Sequence, residues 1–219
     1  GGMPTSPPAS QAGIYVTGPN KCLGCPPSLS LVAVSEAAWA KIESNPDAPF
    51  ASMLSLKDWK NAWKKTEPFP FTPSVAELNG LSAALDRYLD EGPEQVWERH
   101  ALTAKICREG IKGMGIELWP ASEDIASPTA TAVKMPQGID AGIVLKEARA
   151  RYGVSMSAGR AETLGKLIRI GHMGPTAQPG YALLAVSAMG GALKALGAKV
   201  DVAAGLAAAQ ATWDAAIDA

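Results

Sequence analysis

Between two short β-branched runs, Ile14 to Val16 and Leu29 to Val34, the chain inserts Thr17-Gly-Pro-Asn-Lys21-Cys-Leu-Gly-Cys-Pro-Pro27. Runs of this kind read as strands and the Gly/Pro punctuation reads as their connection, so the stretch predicts strand, turn, strand. Pro19, Pro26 and Pro27 fix φ, while Gly18 and Gly24 let backbone pass close to a ligand. Lys21 is therefore held by its neighbours in a way that a lysine on an exposed helix is not. We take it as the candidate centre of the chemistry.

Downstream, Ser35 caps a short helix to about Glu43, and a Pro- and aromatic-rich segment runs from Asn45 to Pro73, with a helical turn or two expected between Ser55 and Trp63. Ser74-Val-Ala-Glu77 reads as a capping box opening a helix with Leu78, Leu81, Leu85 and Leu89 on its apolar side. Gly92 stops that helix, and Pro93 takes the first turn of the next, which carries Val96, Trp97, Leu102 and Ile106 to about Gly113. The Gly92–Pro93 junction is the expected boundary between domains 1–92 and 93–219. Past it come expected strands at Ile116 to Trp119, Thr129 to Met135, Val154 to Ser157 and Leu167 to His172, a helix from Asp140 to Tyr152, and two closing Ala-rich helices. Strands and helices without strict βαβ alternation predict an α+β second domain, an antiparallel sheet covered by helices on one face.

At 219 residues, nearly half of them apolar, the chain can bury a sizeable core. Twenty basic residues against twenty-one acidic ones, with no basic stripe interleaved with aromatics, argue against nucleic acid. The tryptophans at 39, 59, 63, 97, 119 and 213 are scattered, as core or interface residues are. No run of about 18 apolar residues appears, so no membrane span is expected. Cys22, Cys25 and Cys107 leave one thiol over in any pairing and suit a reducing, cytoplasmic setting. The Cys22-Leu-Gly-Cys25 spacing matches half a zinc or redox motif, but Cys107, His100 and His172 show no paired spacing that would complete four ligands. No metal is expected. The chain begins Gly1-Gly2-Met3 and enters a strand within about a dozen residues, which reads as a piece of something longer, with any targeting segment upstream.

A second constellation, Gly159-Arg160-Ala-Glu-Thr-Leu-Gly165-Lys-Leu-Ile-Arg169-Ile-Gly-His172-Met-Gly174, places two arginines nine residues apart around a loop and a strand. The strand period of two sets Leu167, Arg169 and Gly171 on one face, and Ile168, Ile170 and His172 on the other. With the isoleucines toward the core, Arg169 faces a cleft or solvent. There it either clamps a carboxylate bidentately or closes a structural ion pair. His172, alone at a strand end beside glycines, fits a hydrogen-bonded structural residue better than a base.

Three motifs occur in one order: Thr17-Gly-x-x-Lys21-x-x-x-x-Pro-Pro27, Thr72-Pro-x-Val75 and Gly165-Lys-x-x-Arg169-Ile-Gly-x-x-Gly174. That order resembles the class V aminotransferases, and the likeness runs from Tyr15 to the final helices. The resemblance implies the C-terminal part of a fold type I α/β enzyme: a remnant of the large cofactor-binding domain, then the small α+β domain. It implies that Lys21 forms a Schiff base with a vitamin B6 aldehyde, that Arg169 helped by Arg160 binds a substrate carboxylate, and that Thr17, Cys22, Phe69 and Thr72 line the vitamin pocket.

Within the family the wording is most similar to members that use unphosphorylated pyridoxamine as amino donor and pyruvate as acceptor, in vitamin B6 degradation. Pyridoxal or pyridoxamine is then a substrate bound at Lys21, and not a resident cofactor. Phe69 agrees, because it stands where phosphate-binding relatives commonly carry a tyrosine hydroxyl, and a phenyl ring offers a phosphate no donor. The alternative is a pyridoxal 5'-phosphate-dependent aminotransferase of alanine or serine with glyoxylate. A third reading, from a different class, is a noncatalytic vitamin B6 binding module, but capture of an aldehyde alone needs no carboxylate clamp. Each transaminase reading pairs a small amine with a 2-oxo acid, and the resemblance implies a homodimer or dimer-based oligomer. It also places the partner of the pyridine nitrogen upstream of Gly1, so the 219 residues alone are expected to be weak or inactive.

Overall fold

The computed structural model describes residues 1–62, 64–66 and 68–218; Trp63, the expected end of a helical turn, lies outside the described residues. Two compact units emerge, Thr5–Asp90 and Glu91–Ala219, the latter joined by Gly1–Pro4.

In the first unit, α1 (Pro7–Ser10) precedes β1 (Ile14–Thr17) and β2 (Leu31–Val34), which pair antiparallel from Ile14↔Val34 to Thr17↔Leu31. The β-branched runs thus form the expected two strands, the second two residues shorter at its start. Ser35 then caps α2 (Glu36–Ser44), its hydroxyl accepting the Ala38 N–H at 3.2 Å. The expected helical turn is α3 (Leu56–Trp59), and Ser55 organises the chain around it. This serine is buried, donates to the Pro49 carbonyl at 2.7 Å and accepts the Asp58 N–H at 3.3 Å. A serine bonded on both sides lets an irregular segment stay closed where no ladder is available.

Helix α4 (Val75–Glu91) runs as the leucine spacing predicts, but none of its residues is buried. At its start the Ser74 hydroxyl donates to the Glu77 carboxylate, a side-chain pair in place of the reciprocal backbone bonds of a capping box. That bond holds the Glu77 carboxyl below its ordinary value.

The second unit opens with α5 (Pro93–Gly113), whose Gly92 entry has φ 89°. It continues through β3 (Ala130–Lys134), α6 (Ala141–Tyr152), β4 (Ser157–Ala158), β5 (Leu167–Gly171), α7 (Pro179–Ala195) and α8 (Val202–Ile217). Asp140 caps α6 by accepting two backbone N–H groups, and Gly153 ends it at φ 68°, the left-handed cap that glycine adopts most readily. The sheet is antiparallel in the order β3-β5-β4. Ile106, Ile111, Met114, Val133, Val144, Ile168, Val186, Met189 and Leu193 form its covered core.

Two expected strands shrink. Between Gly115 and Pro120, pairing reduces to a single bridge, Leu118↔Val133. The other begins only at Ser157 and holds two pairs with β5. Helices α5 and α8 touch through glycine. A Cβ on Gly205 would lie 2.2 Å from Met114 Cγ and 2.7 Å from the Gly110 carbonyl, and one on Gly113 would lie 2.9 Å from Ala208 Cβ. Among the described residues, no helix is long and apolar enough to cross a membrane.

Candidate active site

In the first unit, the connection carrying Lys21 closes on itself. The Gly24 N–H donates to the Lys21 carbonyl at 3.0 Å and the Cys25 N–H to the Pro19 carbonyl at 3.1 Å, with Gly24 at φ 76°. Cys25 is buried, and its thiol reaches the Gly80 carbonyl of α4 at 3.9 Å. Backbone and anchor are thus fixed while the Lys21 side chain stays exposed. Among the described residues, its amine has no hydrogen-bond or ion-pair partner. Cys22 beside it is half-buried, and Thr17 at the end of β1, Phe69 and Thr72 are exposed.

In the second unit, β5 alternates as expected. Ile168 and Ile170 are buried, Arg169 is half-buried and Gly171 is exposed; Leu167 is buried as well. Across the ladder Arg169 sits opposite Ala132 on β3 and Ser157 on β4, so small neighbours leave its long side chain room on that face. Arg169 Nε donates to the Ala158 carbonyl at 3.0 Å, and no carboxylate pairs with it among the described residues. Among the described residues Arg169 makes no ion pair, and its terminal N–H groups are donors of the kind that can receive an anion. Arg160 lies two residues beyond Ala158, exposed, with no partner for its guanidinium among the described residues.

Behind β5 stands a buried polar layer. His172 is 1% exposed, and its Nε2 meets Thr131 Oγ1 at 2.8 Å. Burial pushes its pKa down to about 4, which fits a structural residue better than a base at neutral pH. Burial likewise pushes the Cys107 thiol up to about 11, so it is an inert core group.

Sequence reasoning passed over Arg99 and weighed His100 only as a metal ligand. His100 is fully buried; its Nδ1 donates to the Val96 carbonyl at 2.6 Å, and its Nε2 accepts the Gly174 N–H at 2.9 Å. Arg99 Nη1 donates to the Gly174 and Ala177 carbonyls at 3.0 and 2.8 Å, while its other nitrogens grip the Glu91 carboxylate. Together they hold the turn after β5. The only cue in the sequence was a histidine four residues after Val96 on the apolar side of a helix. Among the described residues, no group of three His, Cys, Asp or Glu gathers to hold a metal ion.

The chain is 61% identical over 215 residues to the pyridoxamine–pyruvate transaminase of Mesorhizobium japonicum, a match covering 98% of the chain and 55% of that protein. The crystal structure of pyridoxamine-pyruvate aminotransferase from Mesorhizobium loti superposes on all of the chain with a TM-score of 0.96 and 61% identity, and the chain covers 55% of that structure. A serine–glyoxylate aminotransferase of Methylorubrum extorquens is 33% identical over 200 residues, 89% of the chain and 48% of the relative.

The chain belongs to the class V aminotransferases.

Its α/β architecture is that of fold type I aminotransferases, and this class V chain spans about half the length of the curated relatives it matches. No family model matches it. The ureidoglycine-glyoxylate aminotransferase structure from Bacillus subtilis, at 23% identity and a TM-score of 0.90, shares the fold alone.

Proposed function

We propose that this chain is the C-terminal portion of an aminotransferase that moves the amino group of pyridoxamine to pyruvate, giving pyridoxal and L-alanine. The observation that carries the reading is the 61% identity to a pyridoxamine–pyruvate transaminase over nearly the whole chain. Residues 1–92 are the remnant of the large domain and 93–219 the small domain. The working protein is a dimer or dimer-based oligomer in the cytoplasm.

The residues present fit a bound B6 vitamer. Among the described residues, a primary amine without a partner stands on a closed turn, and two arginines without carboxylate partners share one loop-and-strand platform. When bound, the pyridine ring supplies the electron sink that carbanion chemistry needs. Lys21 would move a proton at Nζ, as the free neutral amine, between the vitamer's exocyclic carbon and the substrate carbon, and would hold the aldehyde form of the vitamer at that exocyclic carbon. Arg169, joined by Arg160, grips the carboxylate of the 2-oxo acid. Thr17, Cys22, Phe69 and Thr72 line the vitamer pocket, and Phe69 offers no donor to a phosphate.

The test joins the chain to the upstream part of its gene and follows absorbance in two mixtures, pyridoxamine with pyruvate and pyridoxal 5'-phosphate with L-alanine and glyoxylate. Pyridoxal formation in the first, lost in Lys21→Ala, is the expected result. Turnover only in the second makes the vitamer a conventional phosphorylated cofactor, and silence in both reduces the protein to a binding module.

A further inference from the structure

We propose that Thr163 is the positioning residue that fixes Arg160 for the 2-oxo acid carboxylate. The inference rests on the amino-transfer reading above and deepens it.

Arg160 is exposed and its guanidinium has no partner among the described residues, so nothing at its tip aims it. What aims it is its own backbone. The Arg160 N–H donates to Thr163 Oγ1 at 2.9 Å, and the same hydroxyl donates to the Arg160 carbonyl at 2.7 Å. The Thr163 N–H adds a third bond to that carbonyl at 3.0 Å. Both backbone polar groups of one residue are therefore closed onto a single threonine.

The space is tight. A Cβ on Gly159 would lie 2.2 Å from the Thr163 carbonyl oxygen and 2.6 Å from Oγ1, so glycine there is what lets the threonine reach. The closure also holds Ala161 at φ 48°, a left-handed conformation that alanine adopts only under constraint. The turn is hooked to the strand by the Gly159 N–H on the Leu167 carbonyl at 3.0 Å, and Arg169 Nε is bonded to the neighbouring Ala158 carbonyl at 3.0 Å. Thr163 thus ties Arg160 to the platform that carries Arg169. A merely structural threonine would matter equally to both substrates, but pyridoxamine carries no carboxylate.

The test compares Thr163→Val, which keeps the shape and loses the hydroxyl, with Thr163→Ser, which keeps the hydroxyl. Both are made in the full-length protein. Losing a bond of this kind corresponds to about a tenfold change in affinity. In Thr163→Val the pyruvate KM is expected to rise about tenfold, with kcat and the pyridoxamine KM within about twofold of the parent; Thr163→Ser is expected to return the pyruvate KM to near the parent value. Calorimetric binding of oxamate, an unreactive 2-oxo acid mimic, should weaken and recover in the same pattern, and it reads Thr163 even without turnover. Should Thr163→Val fail to fold, Ala161→Gly/Thr163→Val, relieved at φ, is measured in its place. Unchanged pyruvate KM and oxamate affinity, or equal losses for both substrates, overturn the proposal. A parent that binds oxamate yet turns over neither mixture sinks the amino-transfer reading instead, and the oxamate series then decides Thr163 alone.

Discussion

Lys21 sits on a turn whose backbone closes through its own hydrogen bonds, so substitution there should separate chemistry from folding. Lys21→Ala is expected to cut turnover of the full-length protein on the order of 10³-fold or more, the range lost with a positioned proton-transfer group, with the urea midpoint unchanged. Arg169→Lys keeps the charge and loses the planar fork, and the pyruvate KM should rise about 10- to 100-fold in steady-state assays. The sequence singles out both residues as candidates, because Gly and Pro around Lys21 and the period of two around Arg169 are local signals. It did not make His100 or Thr163 legible, since their partners, the Gly174 N–H and the Arg160 backbone, are set by where loops close and not by spacing. Buried histidine also gives the second unit a pH dependence. Unfolded, His172 takes a proton near its ordinary value of 6.5; folded, it resists until about pH 4. Between those values the unfolded chain binds more protons, so stability falls as pH falls, by up to roughly 3 kcal/mol. His100, lowered chiefly by burial, acts in the same direction. Urea midpoints across pH 7 to 4 should show the decline, and His172→Gln should flatten it.

At the level of elements, α4 was read correctly as a helix, and its apolar side stands open. Its leucine period is real, yet Leu78, Leu85 and Leu89 stand 43, 38 and 65% exposed. Periodicity reports which side of a helix is apolar, and says nothing of what covers it. The 219-residue chain should therefore bind the dye anilinonaphthalene sulfonate, and Leu85→Glu/Leu89→Lys should lower that fluorescence while leaving the far-ultraviolet helix signal intact. The short strands show the opposite limit. Ile116 to Trp119 has strand composition, yet it holds a single bridge, Leu118↔Val133, since composition reports a preference for extended backbone and not how far a neighbouring strand pairs with it.

For the whole molecule, the expected readout is that the 219 residues alone give no steady pyridoxal formation, and sustained turnover by them would refute the assignment of the pyridine-nitrogen partner to an upstream segment. Thiol chemistry offers a check that needs no activity: Cys22 should react quickly with a disulfide reagent, while buried Cys25 and Cys107 react only on unfolding. The fold class was readable from the order of elements, because that order is written in contiguous residues. The glycine contacts of α5 with α8 are not, since Gly113 and Gly205 are ninety-two positions apart. They carry a consequence for protein breeding. A chimaera whose crossover falls between those positions inherits one helix from each parent, and it stays viable only if both parents contribute glycine at the contact. Recombination libraries of this family should therefore be depleted of crossovers wherever one parent carries a larger residue at either position.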